Sequence, residues 1–236
     1  MIEDHNNFGL LQKKIKYNFR SIELLKNVFI HRSYLNEHKN LHLNSNEKLE
    51  FLGDSVLSLI TSLYLFKKYP HLQEGDYTDI KASIVRTESL AEAAESIQLG
   101  NHLFLSRGQD QENGRKNINI LADCFEALIA SVFLDGGFEQ ADAFVNEFLF
   151  SDKLDYLVKN KLYLSPKSRL QEYTQSRYKV IPVYKTVDEK GPEHEKTFKI
   201  QVFVKNKKGA IGVGKSKKEA EELAAKKTLE KIENII

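Results

Sequence analysis

The spacing of apolar residues changes once along this chain, and that change divides what the chain can fold into. Through residues 8–150, apolar side chains recur at intervals of three and four in the stretches 21–30, 48–68, 77–97, 119–134 and 139–149, the period of helices with one buried face. Breaks fall between them at Pro70, Gly75, Gly100, Gly108, Gly114 and the pair Gly136-Gly137. Ser165-Pro166 then opens a helix over 165–177, since serine can cap and proline fits the first turn. Beyond it the pattern alternates in the strand-like runs VIPVYKTV, TFKIQVFV and AIGVG, with turns expected at Lys190-Gly191-Pro192 and over 206–209. Pro182 places the first strand at a sheet edge, because proline cannot donate to a ladder. A last helix begins at Ser216, where Ser216 and Glu219 form a capping box, and runs to about Ile232.

The expected fold class is therefore α+β multidomain. An all-α domain covers residues 1–150 with its core over about 8–138, a helical tail and linker cover 151–164, and an α-β-β-β-α domain covers 165–236. Charge divides at the same place. Residues 1–150 hold 15 Lys and Arg against 21 Asp and Glu, net −6; residues 151–236 hold 20 against 12, net +8; together these return the chain's 35 and 33. A basic module tethered to an acidic one suggests a polyanion-binding tail beside a metal-loaded body.

Two carboxylate clusters give the acidic body its chemistry. Glu47, Glu50 and Asp54 share one helical face within NEKLEFLGDSVL, and Asp123 and Glu126 share another within LADCFEALIASVFLD. Both lie among apolar residues, including Leu49, Phe51, Leu52, Phe125 and Leu128. Acids in such a setting need a compensating charge, and all-oxygen ligands suit a hard divalent cation. An acidic face that is merely solvated is the alternative.

The stretch Asn46 to Leu57 resembles the signature motif of the ribonuclease III family, and Ala122 to Asp135 resembles that family's second acidic motif. The resemblance extends through HRSY at His31 to Tyr34 and EGDYTDIKASIVRTESLAE at Glu74 to Glu92. The C-terminal third resembles a double-stranded RNA-binding domain, so nearly the whole chain is covered. Ile30 stands where the family often has threonine, Lys81 where arginine is usual, and Cys124 where threonine or valine is common. Lysine for arginine weakens a bidentate contact.

The resemblance implies a ribonuclease III, an endoribonuclease of double-stranded RNA using Mg2+, with Mn2+ able to substitute. Glu50, Asp54, Asp123 and Glu126 would hold the metal, Asp54 and Glu126 being the most indispensable, with Glu47 and Glu74 supporting catalysis or contacting RNA. Asn46 would orient the scissile strand. Gln171 and Glu172 would meet one minor groove of duplex RNA and His194 the next, while Lys215, Lys217 and Lys218 bridge the phosphates between them. Phe51 would project into the second subunit of a homodimer, against core packing as the plain reading of a phenylalanine. The expected products carry 5′-phosphates, 3′-hydroxyls and two-nucleotide 3′ overhangs, from ribosomal RNA precursors and structured messenger and transfer RNA precursors. The competing class is a noncatalytic dimeric binder of double-stranded RNA, which would have no chemical need for all four acids.

Three other features lead elsewhere or nowhere. Residues 209–216, GAIGVGKS, fit the P-loop pattern, but only twenty residues follow, too few for the rest of an α/β sheet, so no nucleotide cofactor is expected. His38 and His42 lie in a polar connector without the Glu-x-x-His arrangement of a zinc hydrolase. The single cysteine, Cys124, excludes an intramolecular disulfide and reads as a buried packing residue. MIEDHNNFGL lacks a basic start and an apolar core, and no run is expected to span a bilayer. The expected setting is cytoplasmic, without a membrane partner.

Overall fold

In the computed structural model of the chain, residues 8–192 and 196–233 are described. The first unit begins with α1 (Phe8–Lys14), α2 (Ile22–Val28) and α3 (Arg32–Glu37), followed by the long α4 (Glu47–Lys68). Then come α5 (Glu74–Ile84), α6 (Thr87–Ser96), α7 (Arg107–Gln111), α8 (Ile118–Gly136), α9 (Phe138–Val145) and α10 (Ser151–Lys159). The chain divides into two compact units after Leu157, within α10 and inside the segment expected to link the domains.

α4 and α8 form the centre of this unit and pack more extensively on each other than any other pair of elements. Leu49, Val56, Leu57, Ile60 and Leu65 of α4 are buried, as are Leu121, Phe125, Leu128, Ile129 and Val132 of α8. By length and composition α4 is long and apolar enough to cross a bilayer, contrary to expectation. One side of it is the domain's own core, while Phe51, Leu59 and Phe66 are exposed, and Glu47, Glu50 and Asp54 lie in the same helix.

The helix expected over 77–97 is two, α5 and α6. Arg86 takes an extended conformation between them (φ −66°, ψ 153°), and its carbonyl accepts the N–H groups of Ser89 and Leu90. The polar stretch of residues 106–117 is held in place: Ser106 caps α7, and the Arg115 guanidinium binds Asp110 at 2.8 and 3.1 Å and the Gly100 carbonyl at 3.1 Å. At the far end, Asp155 of α10 accepts from Tyr69 Oη (2.5 Å) and Lys68 Nζ (2.7 Å), and Leu154 beside it is fully buried. These contacts hold the helical tail expected from residue 151 onward.

The second unit contains α11 (Pro166–Tyr178), β1 (Val183–Lys190), β2 (Thr197–Val204), β3 (Lys207–Gly214) and α12 (Lys217–Glu233). The strands form an antiparallel sheet in the order β1-β2-β3, with β1 at an edge directly after Pro182. Leu170 of α11, Val202 of β2, and Ala224, Ala225 and Leu229 of α12 make the core. Ser165 caps α11 by accepting the Ser168 N–H. The turn expected over 206–209 lies one residue earlier, at Lys205-Asn206, both with positive φ (49° and 62°) as a two-residue hairpin turn of this hand requires. Gly209 is therefore inside β3, where a Cβ would lie 2.7 Å from Val202 Cγ1 and 2.9 Å from Thr228 Oγ1.

The glycines of the P-loop pattern have a packing role too. A Cβ on Gly212 would lie 2.0 Å from the Ala220 carbonyl oxygen, and one on Gly214 would lie 2.7 Å from the Ala220 nitrogen. They let α12 lie directly on β3.

Candidate active site

Asn46 fixes the start of α4. It is 3% exposed, its Nδ2 donates to the Val28 carbonyl (3.0 Å) and its N–H to the Ile30 carbonyl (2.9 Å). The Asn46 amide group thereby ties α4 to the end of α2. Cys124 of α8 converges on the same Val28 carbonyl, Sγ to O 3.8 Å, and is fully buried, which pushes its thiol well above the ordinary range. Cys124 is a packing residue here.

With both helices fixed this way, Glu50 of α4 meets Asp123 and Glu126 of α8. Each offers a carboxylate oxygen within 4.8 Å of the others, and all three are half-buried. The crossing that brings them together occurs at Gly53, where a Cβ would lie 2.0 Å from the Glu126 carbonyl oxygen.

The electrostatics of this trio are those of acids short of positive charge. Burial, followed by the charges of Asp54, Glu50 and Asp123, pushes Glu126 up to about 8. Glu50 is raised by burial and then by Asp123 and Glu47, and Asp123 is raised by burial. A half-buried set of carboxylates with raised proton affinity is one that a hard divalent cation would relieve, replacing protons as the neutralising charge. The donor set fits such an ion.

The other expected residues distribute around this centre. Asp54 is exposed and outside the trio, though its charge reaches Glu126. Glu47 is exposed at the rim, accepting from Ser45 Oγ (2.7 Å) and pairing with Arg32 Nη1 (3.7 Å). Glu74 begins α5, where Thr78 donates to it, and is not among the grouped ligands. Phe51 is 79% exposed rather than packed in the core. Arg32 escaped the sequence reading, although HRSY lies in the quoted motifs; nothing local places it beside acids fifteen and more residues away.

In the second unit, Gln171 and Glu172 are exposed on α11, and Glu172 is paired with Lys161 at 2.5 Å. Lys215, Lys217 and Lys218 are exposed around the start of α12. Ser216 accepts the Glu219 N–H (3.1 Å), while the Glu219 carboxylate reaches one residue further back than a regular capping box, to the Lys215 N–H (2.7 Å). Lys217 Nζ lies 3.5 Å from Glu189 and over the Phe198 ring. His194 lies outside the described residues.

Comparison with known proteins places this geometry. The family described as Ribonuclease-III-like matches residues 21–153, more than half of the chain and all five acids of the two clusters. The chain belongs to the ribonuclease III family. The Double-stranded RNA binding motif matches residues 166–232. Ribonuclease 3 of Chloroflexus aggregans is 41% identical over 225 residues, 94% of this chain and 96% of that one. Ribonuclease 3 of Caldanaerobacter subterraneus is 44% identical over 222 residues, with the same coverage. Among solved structures, the nuclease domain of a Campylobacter jejuni ribonuclease III is similar with a TM-score of 0.57 and 33% identity, covering 62% of this chain and 97% of that one. The carboxylate trio of this ribonuclease III chain lies wholly within the matched nuclease region, and α11 through α12 fall in the matched RNA-binding motif.

Proposed function

We propose that this ribonuclease III-family chain is a divalent-metal-dependent endoribonuclease of double-stranded RNA, acting in the cytoplasm as a homodimer. The observation that carries the reading is the convergence of Glu50, Asp123 and Glu126 from two helices onto one half-buried position. Glu50, Asp54, Asp123 and Glu126 hold Mg2+, or Mn2+ in its place. A divalent cation bound there supplies the positive charge that hydrolysis of a phosphodiester requires. The carboxylates orient the attacking water, because their helices are locked at Gly53 and at the Val28 carbonyl. Water adds its oxygen to phosphorus and gives up a proton to solvent, the bond from phosphorus to the 3′ oxygen breaks, and that oxygen takes a proton from solvent to leave as a 3′-hydroxyl beside a 5′-phosphate.

Glu47 and Glu74 support the site from its rim. Gln171, Glu172, Lys215, Lys217 and Lys218, with His194, bind the duplex through minor grooves and phosphates. Phe51 enters the second subunit, which its exposure beside Leu59 and Phe66 on the same helix supports. Two sites related by a two-fold axis then cut the two strands, leaving two-nucleotide 3′ overhangs. Ribosomal RNA precursors and structured messenger and transfer RNA precursors supply such duplexes. The test is degradation of matched duplex and single-stranded RNAs with magnesium: duplex-selective endonucleolytic cutting supports the reading, and indifference to strandedness overturns it.

A further inference from the structure

One cation beside the carboxylates has no role in this scheme. Arg32 is the first residue of α3, and its position is fixed by its neighbour. His31 caps that helix by accepting the Ser33 N–H at Nδ1 (3.2 Å), and its own N–H donates to the Phe104 carbonyl (3.2 Å). Ile30 completes the anchor by bridging to Phe104. From this fixed backbone the Arg32 guanidinium extends to Glu47, Nη1 to Oε1 3.7 Å, with its side chain 75% exposed.

A cation needed only to neutralise Glu47 would close on it with paired N–H···O bonds. The separation of 3.7 Å is beyond hydrogen-bond range, and an exposed pair of this kind contributes little to folding. The guanidinium thus keeps its donors toward solvent, on the rim of the position that a phosphodiester must occupy to be hydrolysed. A planar, permanently charged fork matches phosphate oxygens.

We propose that Arg32 is a positioning residue for the RNA strand, its guanidinium taking a backbone phosphate next to the one presented to Glu50, Asp123 and Glu126. The inference rests on the reading of these carboxylates as the cleavage site. It differs from the contacts assigned to the C-terminal domain, because it places a phosphate contact on the nuclease unit itself.

The test uses the full chain. Glu126→Gln protein, alone and combined with Arg32→Ala or Arg32→Lys, is titrated with a labelled RNA duplex of about thirty base pairs, longer than one domain footprint of roughly 16 bp, across a series of salt concentrations. Arg32→Ala is expected to weaken binding about tenfold and to reduce the slope of log K against log salt by about one phosphate contact. Arg32→Lys is expected to restore the slope while recovering only part of the affinity, since it keeps the charge and loses the fork. Unchanged affinity and slope in Arg32→Ala would overturn the proposal. So would a loss that Arg32→Lys fails to relieve and that tracks a lowered melting temperature, which marks a structural role. Cleavage by the otherwise unsubstituted protein is measured in parallel. Its absence would overturn the reading of the carboxylates, while the binding slopes still decide whether Arg32 meets RNA.

Discussion

The α-carbon of Gly53 lies against the main-chain carbonyl of Glu126, so close that a Cβ at residue 53 would stand 2.0 Å from that oxygen. One glycine in the middle of the acidic signature therefore sets how near α4 comes to α8. Glu50 lies one turn before it and Asp54 directly after it, while Asp123 is one turn before Glu126 on the facing helix. The distance between the two carboxylate clusters is a consequence of the missing side chain.

Gly53→Ala is accordingly expected to force the helices apart. The obstructing atoms are backbone and cannot rotate away, so the cost is at least about 2 kcal/mol, in the range of overpacked cores. A melting curve of the variant checks this, and affinity for metal should fall with it. An unchanged melting temperature would mean the two helices can separate freely.

The raised proton affinity of Glu126 fixes the sign of a pH effect. Its value in the folded protein, about 8, lies above the ordinary 4.5, so its protonated form favours folding. That contribution is fully present below about pH 4.5, declines as the pH rises, and is gone above about pH 8. Glu50 and Asp123 shift in the same direction. Protein in EDTA should therefore melt at a lower temperature near pH 8.5 than near pH 6, and magnesium should flatten the difference by stabilising the ionised acids. A metal-free melting temperature that rises over that interval would contradict the sign.

Gly212→Ala should damage only the second unit. Its Cβ would meet the Ala220 carbonyl oxygen at 2.0 Å and displace α12 from β3. Duplex binding by the full chain is expected to fall at least tenfold, and the far-ultraviolet circular dichroism to lose part of its helical signal. Magnesium-ATP should leave the melting temperature of the unsubstituted protein unchanged, because these glycines serve packing. A shift with ATP would revive the P-loop reading.

Phe51 is expected to act between subunits rather than within one. Since its side chain is 79% exposed, Phe51→Asp should change the stability of a single folded unit by no more than about 0.5 kcal/mol. Sedimentation velocity should nonetheless show a monomer in place of a dimer. A Phe51→Asp protein that remains an active dimer removes this residue from the interface.

How much of this was legible in the sequence depended on whether a signal was local. Helical spacing placed Glu50 with its face of α4 and Asp123 with Glu126 on α8, and Ser165-Pro166 marked the start of α11, because these are contacts within one turn of helix. The break at Arg86 carried no glycine or proline, and the turn at Lys205-Asn206 uses residues less suited to positive φ than the Gly209 that drew attention away from it. Asp155 of the expected helical tail meets Lys68 and Tyr69, and Arg32 reaches Glu47 across a connector. Such pairs exist only once the chain has folded. The hydrogen bond from Asn46 to the Val28 carbonyl is of the same kind, joining two residues 18 apart.

The most direct test of the whole account is cleavage of an end-labelled perfect RNA duplex by the unsubstituted protein and by Glu126→Gln, each with magnesium and with EDTA, beside a gel-shift assay of binding. The account predicts magnesium-dependent cuts by the unsubstituted protein, leaving 5′-phosphates and two-nucleotide 3′ overhangs, and binding without cleavage by Glu126→Gln. Duplex binding without any cleavage by the unsubstituted protein, in magnesium or manganese, would contradict it and leave a noncatalytic RNA binder.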